Sequence, residues 1–369
     1  MVIITILVFI LILSVLVLIH EAGHFFVAKK FGVKVEEFGF GFPPRIYGKK
    51  IGETLYSINL LPIGGFVKLY GEDDAGGGKI GRGEKSSTLK DKDRAFFARP
   101  VWQRAAIVLA GVVMNFLLAL VLISYLFSTQ GVPQPGKVLI TEVLKQSPAK
   151  LAGFEKNDAI LSIDGIEIKE ASQVPDITAR HKDQGMLFTI LRGKTTLQIR
   201  VTPQYNTKEK RAVVGIGIGQ EVINKTYPWY QAPFFGMKEL VNETWMILAG
   251  LGTTVQQVSV QHTVPKDLAG PVGIGQLVGQ FMQYGIYPML SLVSLLSLNL
   301  AVLNVLPIPA LDGGRLFFII FEGITGKKVN QKFEGYVHMA GMIALLTLIV
   351  LLTWHDIARM ASGESLIPK

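Results

Sequence analysis

Residues His20-Glu21-Ala22-Gly23-His24 read H-E-x-x-H. On a helix the two imidazoles fall one turn apart on one face, where they can grip one zinc ion. The glutamate between them can then act as general base on water that the metal acidifies. The motif follows Val2 to Ile19, a stretch with no charged side chain and only Thr5 and Ser14 as polar ones. A run of about eighteen apolar residues can span a bilayer, and ionisable groups at that depth are costly enough to imply function. The opposing reading ends the helix near Ile19 and leaves His20, Glu21 and His24 solvated at the interface. Two nitrogens do not complete a catalytic zinc site in any case; a third protein ligand is needed.

Composition says what must position that ligand. Of 369 residues, 49% are hydrophobic and 18% charged, as expected for a membrane protein with a modest soluble part. The formal charge of +9 fits basic loops facing an anionic leaflet. No zinc-finger spacing or aromatic-studded basic stripe points to nucleic acid. Without a single cysteine there is no disulfide and no thiolate site, so a metal must use His, Asp or Glu. The first apolar run lacks a basic leader and a small-residue cleavage site and is expected as a retained span.

Lys29 to Arg99 carries 14 Lys/Arg against 9 Asp/Glu, which places this loop in the cytoplasm and His20 and His24 toward the cytoplasmic end of the first span. Within the loop, Phe38-Gly39-Phe40-Gly41-Phe42, Thr54 to Leu60 and Leu61 to Leu69 read as short strands joined by Gly/Pro turns. They are apolar enough to dip into the membrane edge, the alternative being a small soluble hairpin. Asp73 to Asp93 reads as a flexible loop. Ala105 to Phe127 is a second span, with Asn115 inside it either as a packing hydrogen bond or aimed at the site.

By parity, Gly131 to Pro203 lies outside the cell. Strands are expected at Val138-Leu139-Ile140 and Ala159 to Ile163, a capped short helix at Ser147 to Gly153, and a hairpin over Leu187 to Val201. Ser147-Pro148-Ala149, Ala152-Gly153-Phe154, Asp158 and Ile163-Asp164-Gly165 resemble the PDZ domain of bacterial proteases. Such a module accepts a peptide at a sheet edge, or serves only as a spacer or size filter. Tyr227 to Val260 has the spacing of an amphipathic interfacial helix, or of a helix packed on the module. Leu268 to Gly275 is expected as a re-entrant or interfacial segment.

Ile286 to about Leu306 forms the third span, which breaks at Pro307 and Pro309. Asp312 is the sole acid of an otherwise apolar stretch, on the same inferred side as the histidines. It is expected as the third ligand; the competing role is N-cap of the next helix. Gly335 to Trp354 makes the fourth span. His181, His262, His338 and His355 show no pairing and are expected as non-ligands.

H-E-A-G-H after a first span and N-V-L-P-I-P-A-L-D-G-G after a third, with a PDZ-like insert between, resemble the site-2 protease family of intramembrane zinc metalloproteases. The type they most resemble is the bacterial kind that regulates sigma factors or processes signal peptides. Ala110 to Asn115 and Leu268 to Ile274 also look like family segments. Two departures are a single PDZ-like module where some members have two, and Val112 where many have Pro. The implied fold is a multi-span α-helical membrane protein with four transmembrane helices, a membrane-associated β-hairpin region and an inserted extracytoplasmic α+β PDZ domain. The expected divisions are 1–28 (first span), 29–103 (cytoplasmic loop and strands), 104–128 (second span), 129–226 (PDZ-like), 227–267 (interfacial helix), 268–324 (re-entrant segment and third span) and 325–369 (loop, fourth span, tail).

The resemblance implies one Zn2+ held by His20, His24 and Asp312, with Glu21 as general base. Gly64, Gly65, Phe66 and Val67 are expected to hold substrate as an edge strand, and Asn115 and Asn304 to orient substrate or its oxyanion. The implied substrates are pre-trimmed single-span proteins, such as anti-sigma factors, or remnant signal peptides in a bacterial inner membrane. A peptide ligand for the PDZ-like module is a further expected partner. Two rival classes are a non-catalytic membrane scaffold presenting peptides through that module and a metal transporter. The scaffold would not need Glu21. The transporter would need more polar groups than Asn115, Asn299 and Asn304 along the spans.

Overall fold

A computed structural model describes residues 2–72, 91–181, 184–206, 211–261 and 268–362. The chain divides into two compact units, one of Met1–Leu126 with Trp229–Lys369 and one of Phe127–Pro228.

The first unit is built on helices. The first, α1 (Val2–Lys30), does not stop at Ile19 but carries H-E-x-x-H in its last third. Two long strands follow, β1 (Val35–Ile51) and β2 (Thr54–Leu69). In place of several short strands the structure has two long ones that bend. Gly39 and Gly41 do not end β1: bulges and the positive φ of Gly41 and Gly64 fold the ribbon over itself. As a result Glu37–Phe40 pairs with Gly65–Lys68 on one side and with Leu55–Ile58 on the other, and the Leu55–Ile58 stretch pairs again with Tyr47–Lys50. Gly65–Leu69 is thereby an outer strand of this sheet. Ser14 of α1 donates to the Pro62 carbonyl at 2.7 Å, tying helix to strand.

The helix α2 spans Val101–Thr129. The remaining helices of the chain's later part are α5 (Ala232–Gln256, continued by a π turn to Gln261), α6 (Pro271–Gln283), α7 (Ile286–Val305), α8 (Asp312–Thr325) and α9 (Gln331–Ala361). Among the described residues, α1, α2, α7 and the Lys332–Ala361 stretch of α9 are long and apolar enough to cross a membrane. Ser294 and Ser297 of α7 donate to the Ala119 and Asn115 carbonyls of α2, joining the two helices by polar side chains rather than by apolar contact alone. The Leu268–Gly275 segment is irregular only as far as Gly270. Pro271, with φ already set for a helix, starts α6, which packs against α1, α7 and α9.

The second unit has β3 (Val132–Val143), α3 (Pro148–Ala152), β4 (Ala159–Ile163), β5 (Ile166–Glu167), α4 (Gln173–Arg180), β6 (Met186–Arg192), β7 (Thr195–Val201), β8 (Gln204–Asn206), β9 (Arg211–Val213) and β10 (Ile216–Lys225). Its sheet runs β10-β3-β4-β6-β7. Alternate residues of these strands, among them Ile140, Ile160, Phe188 and Ile190, meet in a closed core. Ser147 caps α3 by accepting from the Lys150 N–H, as its sequence suggests. The sequence does not announce β10: Gly217 and Gly219 leave one face of its first half without side chains. The flexible-loop expectation for Asp73 to Asp93 falls on 73–90, and His262 on 262–267, outside the described residues; Asp91 to Asp93 run into a short 3-10 turn.

Candidate metal centre

The site is assembled by helices that lie far apart in sequence. His20 and His24 project from one face of α1 and are almost fully buried. Their rings leave no room for a side chain on the facing helix: a Cβ on Gly111 of α2 would sit 2.4 Å from His24 Nε2 and 2.7 Å from His20 Cε1. Gly23 makes the reciprocal allowance, since its Cβ would meet the Ala110 carbonyl oxygen at 2.3 Å.

Asp312 opens α8 after the loop Leu306–Leu311. Glycine is required at the next two positions. A Cβ on Gly313 would lie 2.0 Å from the Leu306 carbonyl oxygen, and one on Gly314 2.5 Å from that of Ile308. The helix start is thus folded back onto its own loop. Leu311, not Asp312, occupies the N-cap position, and the Asp312 carboxylate turns toward the histidines. Its Oδ2 is 2.8 Å from His20 Nε2 and 3.2 Å from His24 Nε2, and the two Nε2 atoms are 3.2 Å apart. Among the described residues this is the one His/Cys/Asp/Glu group gathered closely enough to hold a metal ion.

The outer ring nitrogens show that these donors suit a cation. His24 Nδ1–H donates to the Ile107 carbonyl at 2.8 Å, leaving a lone pair on Nε2. Beside His20 Nδ1, at 3.4 Å, lies the Asn115 amide nitrogen, while Asn115 Oδ1 is buried and has no partner among the described residues. Oxygen and nitrogen of an amide are exchangeable by a flip. With the amide turned, Oδ1 accepts from His20 Nδ1–H and a second lone pair faces inward. Two imidazole lone pairs and a carboxylate then converge with no proton among them, which is the donor set of a zinc site with a position left open.

Glu21 lies beside this triangle. Its Oε2 accepts from the Val67 N–H at 3.0 Å, so the outer strand that holds Gly65 and Val67 borders the site, and a Cβ on Gly65 would come 3.9 Å from Glu21 Cγ. Gly64 reaches α1 at Val17, and Phe66 lies across Gly39 of the neighbouring strand segment. Of the two asparagines expected at the substrate, Asn115 is fully buried behind His20. Asn304 is half-buried on the last turn of α7.

A further pair was not singled out from the sequence. Arg315, one turn beyond Asp312, is paired with Glu72, whose other oxygen accepts from the Leu69 N–H at 3.0 Å. This salt bridge fastens the outer strand to the helix that presents Asp312. The signal available was Arg315 at i+3 from Asp312 in a segment with no other charge before Glu322.

The Listeria monocytogenes SdrC-like protein's PDZ domain aligns with 22% of this chain and 86% of its own, at 20% identity and a TM-score of 0.21. Regulator of sigma-W protease RasP of Bacillus subtilis is 30% identical, over 96% of this chain and 99% of its own length. Zinc metalloprotease RasP of Geobacillus kaustophilus is also 30% identical, over 95% of this chain and 97% of its own. The profile of Peptidase family M50 matches residues 8–348, and with near-complete coverage on both sides the chain belongs to that family.

Proposed function

We propose that the chain is an integral membrane zinc metalloendopeptidase that cuts peptide bonds within transmembrane segments. The observation that carries this is the meeting of His20, His24 and Asp312 beside Glu21 and the Val67 N–H. When bound, zinc supplies Lewis acidity, which acidifies water and polarises a carbonyl. His20, His24 and Asp312 hold it. Glu21 takes the proton of the attacking water and delivers it to the leaving amine. A helical substrate hides its carbonyls in hydrogen bonds and must unwind before attack. The outer strand at Gly64–Val67 is suited to receive the unwound segment, because its edge, marked by the Val67 N–H, faces Glu21. Asn115 serves the site from behind, by fixing His20, and Asn304 takes the remaining role of orienting the substrate or its oxyanion.

The basic loops favour an orientation with the metal toward the cytoplasmic side of a bacterial inner membrane and the PDZ-like module outside. There the module admits pre-trimmed single-span proteins by size or by holding a peptide. Anti-sigma factors are the favoured substrates, consistent with the name of the Bacillus subtilis relative; remnant signal peptides are the second class.

The test is Glu21→Gln in the full chain with a transmembrane reporter. Zinc content stays at one ion per chain and cleavage falls by at least about 100-fold, the scale of a lost general base. Cleavage at the wild-type rate overturns the base assignment, and loss of zinc overturns the separation of base from ligands.

A further inference from the structure

We propose that His338 of α9 is a positioning residue for Asp312, acting through the backbone of Ala310. The inference rests on the reading of Asp312 as a metal ligand. Ala310 lies two residues before Asp312 and has φ +78°, a left-handed conformation that a residue with a Cβ adopts only when its surroundings impose it. Two contacts from α9 impose it. A Cβ on Gly341 would sit 2.4 Å from Pro309 Cβ, so the loop lies against the helix as closely as backbone permits. One turn earlier, His338 Nδ1 accepts from the Ala310 N–H at 3.0 Å.

That bond decides the tautomer. A backbone N–H can only donate, so Nδ1 carries the lone pair and the ring proton is on Nε2. His338 Nε2 is buried and makes no hydrogen bond among the described residues. Among the described residues the nearest carboxylate oxygen, Glu334 Oε1, is 3.9 Å away, beyond hydrogen-bond reach. Phe318 of α8 packs on the ring at 5.8 Å between centroids. An apolar side chain would fill this space without stranding a donor. Packing therefore does not account for a histidine here; the acceptor for Ala310 does. The helix α9 supplies no ligand, yet it holds the turn that aims Asp312 at His20 and His24.

The experiment compares His338→Leu, which has no acceptor, with His338→Asn, whose amide oxygen occupies roughly the place of Nδ1. Both are made in the full chain in detergent, with Asp312→Ala as control. The readouts are zinc affinity, by competition with a chelator, and the visible absorption spectrum of the Co2+-substituted chain, which reports the ligand set. Expected is a weakening of zinc binding by about 10–100-fold in His338→Leu, the usual cost of losing a group that orients a ligand. Its Co2+ spectrum moves toward that of Asp312→Ala, and His338→Asn restores both. Wild-type affinity and spectrum in His338→Leu, or an Asn variant no better than Leu, overturn the proposal. If His338→Leu does not fold, His338→Gln, whose oxygen lies one bond too far along, replaces it with the same two outcomes. Undiminished zinc binding in Asp312→Ala would instead sink the ligand reading itself.

Discussion

Two carboxylates, one in each unit, have been given opposite surroundings, Asp158 buried and Asp312 half-buried. Asp158, in the PDZ-like unit, is enclosed by groups of its own unit. Arg192 donates to both its oxygens, Nε to Oδ1 and Nη2 to Oδ2, each at 2.8 Å, and the Glu155 N–H donates to Oδ2 at 2.8 Å. Arg192 also reaches Glu155 and the Gly153 carbonyl. Asp312 faces two imidazole nitrogens instead, and among the described residues no Lys or Arg hydrogen-bonds it. Burying a carboxylate is tolerable only when its charge is compensated. In the PDZ-like unit the chain supplies the compensation; on the function proposed above, the membrane unit leaves it to a cation from outside. The apolar residues differ in the same sense. In the PDZ-like unit they close into a core, whereas on α1 and α9 residues such as Leu7, Leu11, Leu346 and Leu351 point outward, as a lipid solvent demands.

If this contrast is right, the same chemical change should have opposite results at the two aspartates. The largest effect is expected for Asp312→Asn: a loss of zinc affinity of at least about 100-fold, exceeding the cost of losing an outer partner. Thermal unfolding of the metal-free chain should be unchanged or shifted slightly upward, since a half-buried charge without a cation has been removed. A metal-free form that unfolds markedly earlier, with zinc affinity intact, would make Asp312 structural and erase the contrast.

Asp158→Ala should do the reverse, at somewhat smaller size. It strands Arg192 and the Glu155 N–H, but Arg192 is about one-third exposed and recovers water. The expected cost is about 2–3 kcal/mol to the PDZ-like unit, at the low end for breaking a buried ion pair. Hydrogen exchange at Ile160, Phe188 and Ile190 in the full chain should speed up accordingly, while zinc content and the amides of α1 stay as they were. Equal exchange in both proteins would show that the pair contributes nothing.

The two aspartates also differ in how far the sequence exposes their roles. H-E-x-x-H is local, and Asp312 stands out as a lone acid in an apolar stretch, so the three can be brought together by counting spans. What completes the site is not local. Gly111 matters because of rings on another helix, Glu72 meets Arg315 across 243 residues, and the His338 bond to Ala310 is specified by neither residue's type. The strands suffered from a different ambiguity. Glycine and proline usually end a strand, but in β1 and β2 they bend it, and in β10 the glycines thin the side-chain pattern that marks one. The Asp158–Arg192 pair was half visible, as an aspartate in the PDZ-like pattern whose partner lies 34 residues on.

The smallest expected effect follows from proton binding at Asp158. Burial alone would push its carboxyl upward, but the hydrogen bonds from Arg192 and from the Glu155 N–H outweigh burial and hold it below the ordinary carboxylate range. A carboxyl depressed in the folded state binds fewer protons than the unfolded chain near its midpoint, so acid favours unfolding. The contribution of the pair is therefore fully present above the unfolded value of about 3.9 and is lost as pH falls through the lower, folded value. Between pH 7 and 5 the protection of Ile160 and Phe188 against exchange, corrected for the intrinsic rate, should not change. Below about pH 4 it should decline in the wild type. Asp158→Ala, already lacking the carboxyl, should show a shallower decline over the same interval. Parallel curves for the two proteins would mean that the acid sensitivity of this unit arises from other carboxylates, and that Asp158 is compensated equally well with its proton on.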